Sequence, residues 1–263
     1  RYQHCGRYRL PAMAAALGYG WTVVLAEDGA LYACGSGDLG QLGINSRTDE
    51  RQLVRVSGAE PHGNSPVVLV AAGWHHWAAV FEDGAVLTCG SGYNGQLGHG
   101  YEGDAPGRDT LRPARLERAV FGGAAVVLVA RGCLHTLAVA GAGRVYTSGN
   151  NDLGQLGLGN RTSSRVFMPV DQGQFEDAHI VMAACGGYHS VAVSAEGDVF
   201  TWGAGFWGRL GHSDQQDRLA PARLMQGQFG GGKVVLVAAG FWHTVALTEG
   251  GMLWVWGEGQ HGQ

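Results

Sequence analysis

The chain has 263 residues, a formal net charge of -4 and 46 glycines. Its hydrophobic share of 45% and charged share of 15% exclude a disordered chain, and the absence of a three-residue glycine period excludes a collagen-like one. The slight negative charge gives no reason to expect bulk attraction to nucleic acid or to an anionic membrane. The sequence therefore predicts a folded protein in which glycines mark turns.

The five cysteines are odd in number and form no C-x-x-C pair, which argues against a disulfide framework and against a structural zinc site. No apolar run reaches the roughly 18 residues of a membrane span. The start of the chain also lacks the layout of a secretory signal. We expect a soluble intracellular protein, cytoplasmic, nuclear or in an organelle, with no metal and no cofactor.

A glycine-rich loop motif recurs along the chain. It reads GSGDLGQLG from Gly35, and its successive starts at Gly35, Gly90, Gly149, Gly203 and Gly257 are 55, 59, 54 and 54 residues apart. Two further glycines precede each start at fixed distance, as Gly18 and Gly29 precede Gly35. After an N-terminal segment with a partial strand (1–17), the domain 18–263 therefore divides into five repeats: 18–66, 67–125, 126–179, 180–233 and an incomplete 234–263.

Each repeat predicts four strands. A short apolar run such as 67–72 or 234–239 reads as a buried first strand, and a β-rich segment such as 77–81 meets a turn that ends in glycine before a third strand. A fourth strand is expected around 113–117, 168–171 and 221–225. Four antiparallel strands in about 50 residues are typical of one blade of a β-propeller, so the fold class is all-β.

The segments 183–193 (AACGGYHSVAV) and 237–247 (VAAGFWHTVAL), with the G-Q-L-G loops, resemble the repeats of the regulator of chromosome condensation (RCC1) family. The resemblance covers nearly the whole chain and implies a propeller that usually has seven blades. Since five repeats are visible, we expect a fragment of a longer protein, with a smaller closed ring as the alternative. The sequence departs from the repeat at Trp21, Trp77 and Arg131, where the family has other residues.

Two motifs that suggest binding sites are better explained as structure. The G-x-G-x-x-G stretches match a dinucleotide fingerprint but recur in four of five units and open no helix, so their glycines are expected to shape turns. Four in-register histidines cannot all come within about 2 Å of one ion, so we expect them to hydrogen-bond neighbouring strands. These structural residues are Gly35, Gly40, Gly90, Gly95, Gly149, Gly154, Gly203, Gly208, His76, His135, His189 and His243.

No catalytic constellation interrupts the repeat, so we predict no catalytic residues and no enzyme. What varies is the content of the glycine-rich loops, which should share one face, and its aromatic and arginine residues are types enriched in interface hot spots. Packing within the loops is the alternative explanation. The candidate partner-binding residues are Asp38, Tyr93, Asn94, Asp152, Phe206, Trp207, Arg209 and His261. We predict a non-catalytic protein-binding propeller, a scaffold that presents loops to a protein partner.

The resemblance implies three alternatives. One is guanine-nucleotide exchange on a Ran-like small GTPase, and another is the recruitment of partners by propellers of HERC-like ubiquitin ligases, so the partner is a small GTPase or part of a larger complex. The third is the family's ultraviolet photoreceptor, which uses repeated G-W-R-H-T motifs. Only residues 73–77 (GWHHW) come near that motif, so we do not expect light sensing.

Overall fold

The computed structural model describes residues 12–59, 65–100 and 109–260. It contains five antiparallel sheets, which follow one another along the chain and which we call blades 1 to 5. In every blade the strands are hydrogen-bonded in chain order. This architecture confirms the predicted all-β propeller of four-stranded blades, with three strands of blade 5 in the described part of the chain.

The strand bounds follow the repeat closely. Blade 1 consists of β1 (Ala12–Leu17), β2 (Trp21–Ala26), β3 (Leu31–Gly35) and β4 (Glu50–Arg55). Blade 2 consists of β5 (Val67–Ala72), β6 (His76–Phe81), β7 (Val86–Gly90) and β8 (Thr110–Leu116). Blade 3 consists of β9 (Val126–Arg131), β10 (His135–Ala140), β11 (Arg144–Gly149) and β12 (Ser164–Pro169). Blade 4 consists of β13 (Ile180–Cys185), β14 (His189–Ser194), β15 (Val199–Gly203) and β16 (Arg218–Arg223), and blade 5 of β17 (Val234–Ala239), β18 (His243–Thr248) and β19 (Leu253–Gly257).

Helical structure is slight in the described residues. It consists of 3₁₀ turns of three or four residues: Arg118–Phe121, Gln172–Phe175, Phe206–Gly208 and Gln226–Phe229. Within these same residues, no helix has the length and apolar character needed to cross a membrane.

The first strand of each blade lies innermost, where β1, β5, β9, β13 and β17 contact one another in succession. The expectation that these strands are buried was wrong at their second residue and, in blade 5, also at Leu236, which is 46% exposed. Val68 and Val127 are 48% and 60% exposed, and each lies at a bulge in the pairing with the second strand. The bulge leaves one residue unpaired, and an innermost strand has no further strand on its axial side to cover it.

The hydrophobic core lies between the blades. Neighbouring sheets pack face to face, so that each apolar cluster joins residues of two successive blades, as Leu25 and Phe81 do between blades 1 and 2. The leucines of the glycine-rich loops close the layers from one end: Leu42, Leu97, Leu156 and Leu210 are buried. Each blade therefore depends on its neighbour for a core, as in other repeat architectures.

Two kinds of loop meet at one end of the propeller. Because successive strands run antiparallel, the first loop of a blade (between its first and second strands) lies at the same end as the third loop (between its third and fourth strands). The contact between Trp207 of a third loop and Trp242 of a first loop, with ring centroids 5.0 Å apart, shows this directly. We call this end the loop face.

Candidate functional site: the loop face and its supports

The third loops are tight turns held by their own side chains. In blade 1 the amide oxygen of Gln41 accepts a hydrogen bond from the backbone N–H of Leu39 at 2.8 Å. Gln96 and Gln155 make the same bond in blades 2 and 3, at 2.9 and 3.0 Å. All three glutamines are buried, so the turn is fixed from below and its outer residues project outward.

The glycines of these loops take conformations that a residue with a Cβ avoids. Gly35 and Gly40 have φ of 105° and 77°. A Cβ on Gly35 would lie 2.6 Å from the Cα of Trp21, because the two strands approach closely there. The equivalents also have positive φ: Gly90, Gly95, Gly149, Gly154, Gly203 and Gly208. Close packing and turn geometry thus account for the glycine motif.

A chain of hydrogen bonds, which we call the interblade relay, joins each of the middle blades to the next. His135 Nε2 of blade 3 lies 3.0 Å from Ser190 Oγ of blade 4, and the Ser190 hydroxyl donates to the backbone carbonyl of Gln155 in blade 3 at 2.9 Å. Because the hydroxyl proton goes to the carbonyl, Ser190 Oγ accepts from an Nε2–H of His135. Two further relays have the same form: His76–Thr136–Gln96 and His189–Thr244–Arg209.

The relay histidines are neutral. Burial lowers the pKa of His135 and of His189 to about 3, and it holds the pKa of His76 well below the ordinary value for histidine. His243, the equivalent residue of blade 5, is half-buried. Each relay is directed at a different neighbour, and the described residues contain no group of three or more His, Cys, Asp or Glu that could hold a metal ion.

The junction of blades 1 and 2 replaces the relay with two indoles. Trp77 Nε1 donates to the backbone carbonyl of Gln41 at 2.9 Å, which is the carbonyl that a hydroxyl serves elsewhere. Trp21, in the histidine position, donates from Nε1 to the backbone carbonyl of Trp74 at 2.7 Å. Both indoles are buried. The two departures that the sequence shows at Trp21 and Trp77 are therefore one coupled replacement.

Arg131 adds a buried cation to the junction of blades 2 and 3. Its Nη1 donates to Thr136 Oγ1 at 2.8 Å and to the Gln96 carbonyl at 3.3 Å. The side chain is buried among the described residues without a carboxylate within salt-bridge distance, and burial lowers its pKa to about 9. The guanidinium is thus a second donor to the carbonyl that Thr136 already serves.

The predicted partner-binding residues lie on the third loops of different blades. Tyr93 is 68% exposed, Phe206 55% and Trp207 42%. Asp38 and Asp152 are exposed and Asn94 is half-buried, while His261 falls outside the described residues. Hydrogen bonds from Gln41 and Ser36 lower the pKa of Asp38, so its carboxylate is engaged in its own turn.

Arg209 requires a correction, because it is buried and not a surface residue. Its Nε donates to the backbone carbonyl of Phe206 at 2.9 Å. Its guanidinium carbon lies 4.5 Å from the ring centroid of Trp242 and 5.4 Å from that of Trp207, in cation–π contact with both. Burial lowers its pKa to about 10. Arg209 therefore supports the loop face from beneath and cannot contact a partner directly.

Sequence reasoning missed the aromatic side chains of the first loops. Phe241 and Trp242 are adjacent, with ring centroids 4.1 Å apart, and Phe241 lies 5.3 Å from Trp74 and 5.7 Å from Tyr188. Phe241 and Trp74 line a central cavity of about 290 Å³, to which the first loops of all five blades contribute, among them Tyr19. Their position in the sequence could have identified them, because each lies one or two residues after the first glycine of its repeat.

Relatives of this chain share the repeat and the fold. Over 197 residues it is 38% identical to the ultraviolet-B receptor UVR8 of Arabidopsis thaliana. This alignment covers 74% of this chain and 42% of that protein. Over 251 residues it is 34% identical to the human E3 ubiquitin-protein ligase HERC2. This alignment covers 92% of this chain and 5% of that protein. The crystal structure of human WBSCR16 superposes with a TM-score of 0.80 at 26% identity, over 95% of this chain and 63% of that one.

The chain spans less than half the length of the two curated relatives and about two thirds of the solved chain. The regulator of chromosome condensation (RCC1) repeat, as a sequence family, matches residues 28–80, 83–139, 142–193 and 196–247. These matches cover most of the chain, and each runs from the third strand of one blade to the second strand of the next, so the sequence repeat is offset from the blades by two strands. The chain therefore belongs to the RCC1 repeat family and folds as consecutive blades of an RCC1-type β-propeller.

Proposed function

We propose that the loop face binds a protein partner and that the propeller acts as a non-catalytic scaffold. The observation that carries this proposal is the exposure of Phe206, Trp207 and Tyr93 on loops whose bases are fully buried. Exposed aromatic residues on a rigid support have the composition of interface hot spots.

The rigidity of the loops favours binding. In blades 1 to 4 the third loop is closed by a buried side chain, and the backbone carbonyl of that same residue accepts a bond from the next blade, as Gln155 does from Ser190. A loop that is already ordered loses little conformational entropy when a partner docks. The structure thus supports a surface that recognises a partner without rearranging.

Ion pairs also tie the third loop of one blade to that of the next. Arg47 Nη1 donates to the carbonyl of Asp38 in its own loop at 2.8 Å and to Asp109 of blade 2 at 3.0 Å. Arg161 links Asp152 of blade 3 to Asp217 of blade 4 in the same way. Because these charges are matched within the chain, the aromatic residues are left as the main source of binding energy.

A double substitution tests the proposal. In the full-length protein, F206A/W207A should lower retention of the native partner at least about tenfold, which corresponds to about 1.4 kcal/mol. Its midpoint of thermal unfolding should change little, because both side chains are partly exposed. The control is Met225→Ala, since Met225 is 78% exposed and follows the fourth strand of blade 4, at the opposite end. Equal retention by the double variant and the wild type would contradict the proposed face.

Nucleotide exchange is a finer hypothesis about the same surface. The scaffold proposal predicts that the protein leaves the rate of nucleotide release from a Ran-like GTPase unchanged. Stopped-flow measurement of release of a fluorescent guanine nucleotide tests this. Acceleration that F206A/W207A abolishes would replace the scaffold proposal with exchange on the same face.

A further inference from the structure

We propose that Arg209 is a positioning residue: it reverses one peptide of the blade-4 loop and thereby makes Phe206 and Trp207 the anchor for an apolar pocket on a folded partner. The proposal rests on the proposed function of the loop face. Its first part concerns the conformation of the loop and can be tested without the partner.

The same peptide unit points in opposite directions in different blades. In blades 1 to 3 the third loop presents a backbone N–H to the buried glutamine, as Leu39 does to Gln41. In blade 4 the corresponding peptide joins Phe206 to Trp207, and it presents its carbonyl to Arg209 Nε at 2.9 Å. Glutamine supplies an acceptor at this position, whereas arginine has donors only. The exchange of acceptor for donor is the physical reason for the reversed peptide.

The backbone of Trp207 records this reversal. Its φ and ψ are 57° and 20°, in the left-handed region, while the equivalent Leu39, Asn94 and Leu153 are not among the residues with positive φ. A positive φ at the third residue distinguishes a type II turn from a type I turn, and reversal of the central peptide converts one into the other. Bulky side chains seldom take this conformation. Strained residues of this kind cluster at binding sites, where the surrounding structure maintains them.

The contacts of the two side chains show what maintains the strain. The guanidinium of Arg209 contacts the indoles of both Trp207 and Trp242, at 5.4 and 4.5 Å from their centroids. The two indoles also meet edge to face at 5.0 Å. These contacts fix the indole of Trp207 against Trp242 while leaving 42% of Trp207 exposed. A glutamine at position 209 would leave the two indoles without a cation.

The shape of the anchor indicates the kind of partner. Phe206 and Trp207 are consecutive residues of one short 3₁₀ turn, and both are substantially exposed. A rigid projecting pair of aromatic rings fits a preformed concave apolar pocket, which a folded domain supplies and an extended peptide does not. Hot-spot residues of this type characteristically fill such pockets.

The conformational test uses Arg209→Gln, which installs the residue that blades 1 to 3 already carry. A crystal structure of the variant should show negative φ at Trp207 and its N–H directed at Gln. In solution, acrylamide quenching of Trp207 fluorescence, taken as the difference from a matched W207F background, should increase because the indole leaves Trp242. A variant that keeps positive φ and unchanged quenching would overturn the positioning role.

Arg209→Lys is the second variant. Lysine keeps a donor for the Phe206 carbonyl but lacks the planar guanidinium that contacts both indoles. We expect a retained positive φ with quenching between that of the wild type and of R209Q. Complete loss of the turn in R209K would show that stacking alone, and not the hydrogen bond, sets the peptide.

The binding arm separates the two proposals. R209Q should weaken retention of the native partner at least about tenfold, and a folded domain of that partner should bind where its isolated peptides do not. If F206A/W207A leaves binding intact, the proposed face is wrong whatever R209Q does. If F206A/W207A abolishes binding while R209Q rearranges the turn without effect, the face stands and the anchor role of the reversed turn is wrong.

Discussion

The junction of blades 1 and 2 and the junction of blades 3 and 4 meet the same requirement with different chemistry. In both, a backbone carbonyl of the third loop is buried between blades and is hydrogen-bonded by side chains of the next blade. At the junction of blades 3 and 4 the Gln155 carbonyl accepts from the small hydroxyl of Ser190, which is backed by His135, and also from the indole of Trp202 at 3.0 Å. At the junction of blades 1 and 2 the donor to the Gln41 carbonyl is the indole of Trp77.

The difference shows what the fold requires. An unpaired buried carbonyl costs free energy, so a donor must be present, but its identity is free if the volume around it is adjusted. A histidine beside Trp77 would have no hydroxyl to bond. The position instead holds Trp21, which has its own acceptor in the Trp74 carbonyl. The side chains of one junction are therefore exchangeable as a pair and not singly.

The largest effect is expected from Trp77→Ala. The substitution removes a fully buried indole and leaves the Gln41 carbonyl without that donor. We expect a loss of about 3 to 5 kcal/mol in the free energy of unfolding, measured by urea denaturation. A loss below about 1 kcal/mol would show that the junction of blades 1 and 2 does not depend on this side chain.

Replacement of the pair sharpens the comparison. W77T and W21H alone should each destabilise, whereas the double variant W21H/W77T should recover part of the loss by forming a relay of the usual kind. We expect a coupling free energy of about 1 to 2 kcal/mol from the double-mutant cycle, within the range for residues in one network. Simple additivity of the two losses would contradict the coupled replacement.

The histidine junctions should be sensitive to pH. The pKa of His135 and of His189 is about 3 in the folded protein and about 6.5 in the unfolded chain, so unfolding takes up protons between these values. Their contribution to stability is therefore complete above about pH 7 and is lost as the pH falls from about 6.5 towards 3.

His135→Ala tests this dependence. It should cost about 1 to 3 kcal/mol at pH 7, because Ser190 loses its donor and a cavity forms. It should also flatten the fall of the urea midpoint between pH 7 and pH 5 relative to the wild type. An equal fall in both proteins would show that His135 titrates normally in the folded state.

The smallest effect is expected on the surface. Arg161 is 48% exposed in its pair with Asp217, although the pair joins blades 3 and 4 as the relay does. Arg161→Ala should cost no more than about 1 kcal/mol, and the cost should diminish with added salt. A cost like that of H135A would mean that the exposed ion pair contributes as much as the buried relay.

The sequence was sufficient for the framework but not for the supports of the loop face. Periodic glycines, apolar runs and β-rich segments predicted the blades, since each repeats a local pattern. Arg209 was misjudged because an arginine in a loop is normally exposed, and its burial depends on Trp242 in the next blade. Trp21 and Trp77 were recognised as departures, but each finds its acceptor in a backbone carbonyl of the neighbouring blade, which the sequence does not show. A contact between two repeats depends on residues of both, so the pattern of a single repeat does not predict it.

The relay also gives the propeller a direction. Blades 2, 3 and 4 each carry a histidine that donates towards the following blade and a carbonyl that accepts from a hydroxyl of that blade, so the two sides of such a blade are chemically distinct. Because the donor side of one blade fits only the acceptor side of the next, such units can follow one another in only one order. Duplication of one whole repeat, for example 126–179, thus adds a self-consistent junction at both ends, which explains in physical terms how proteins of this kind can gain blades by duplication.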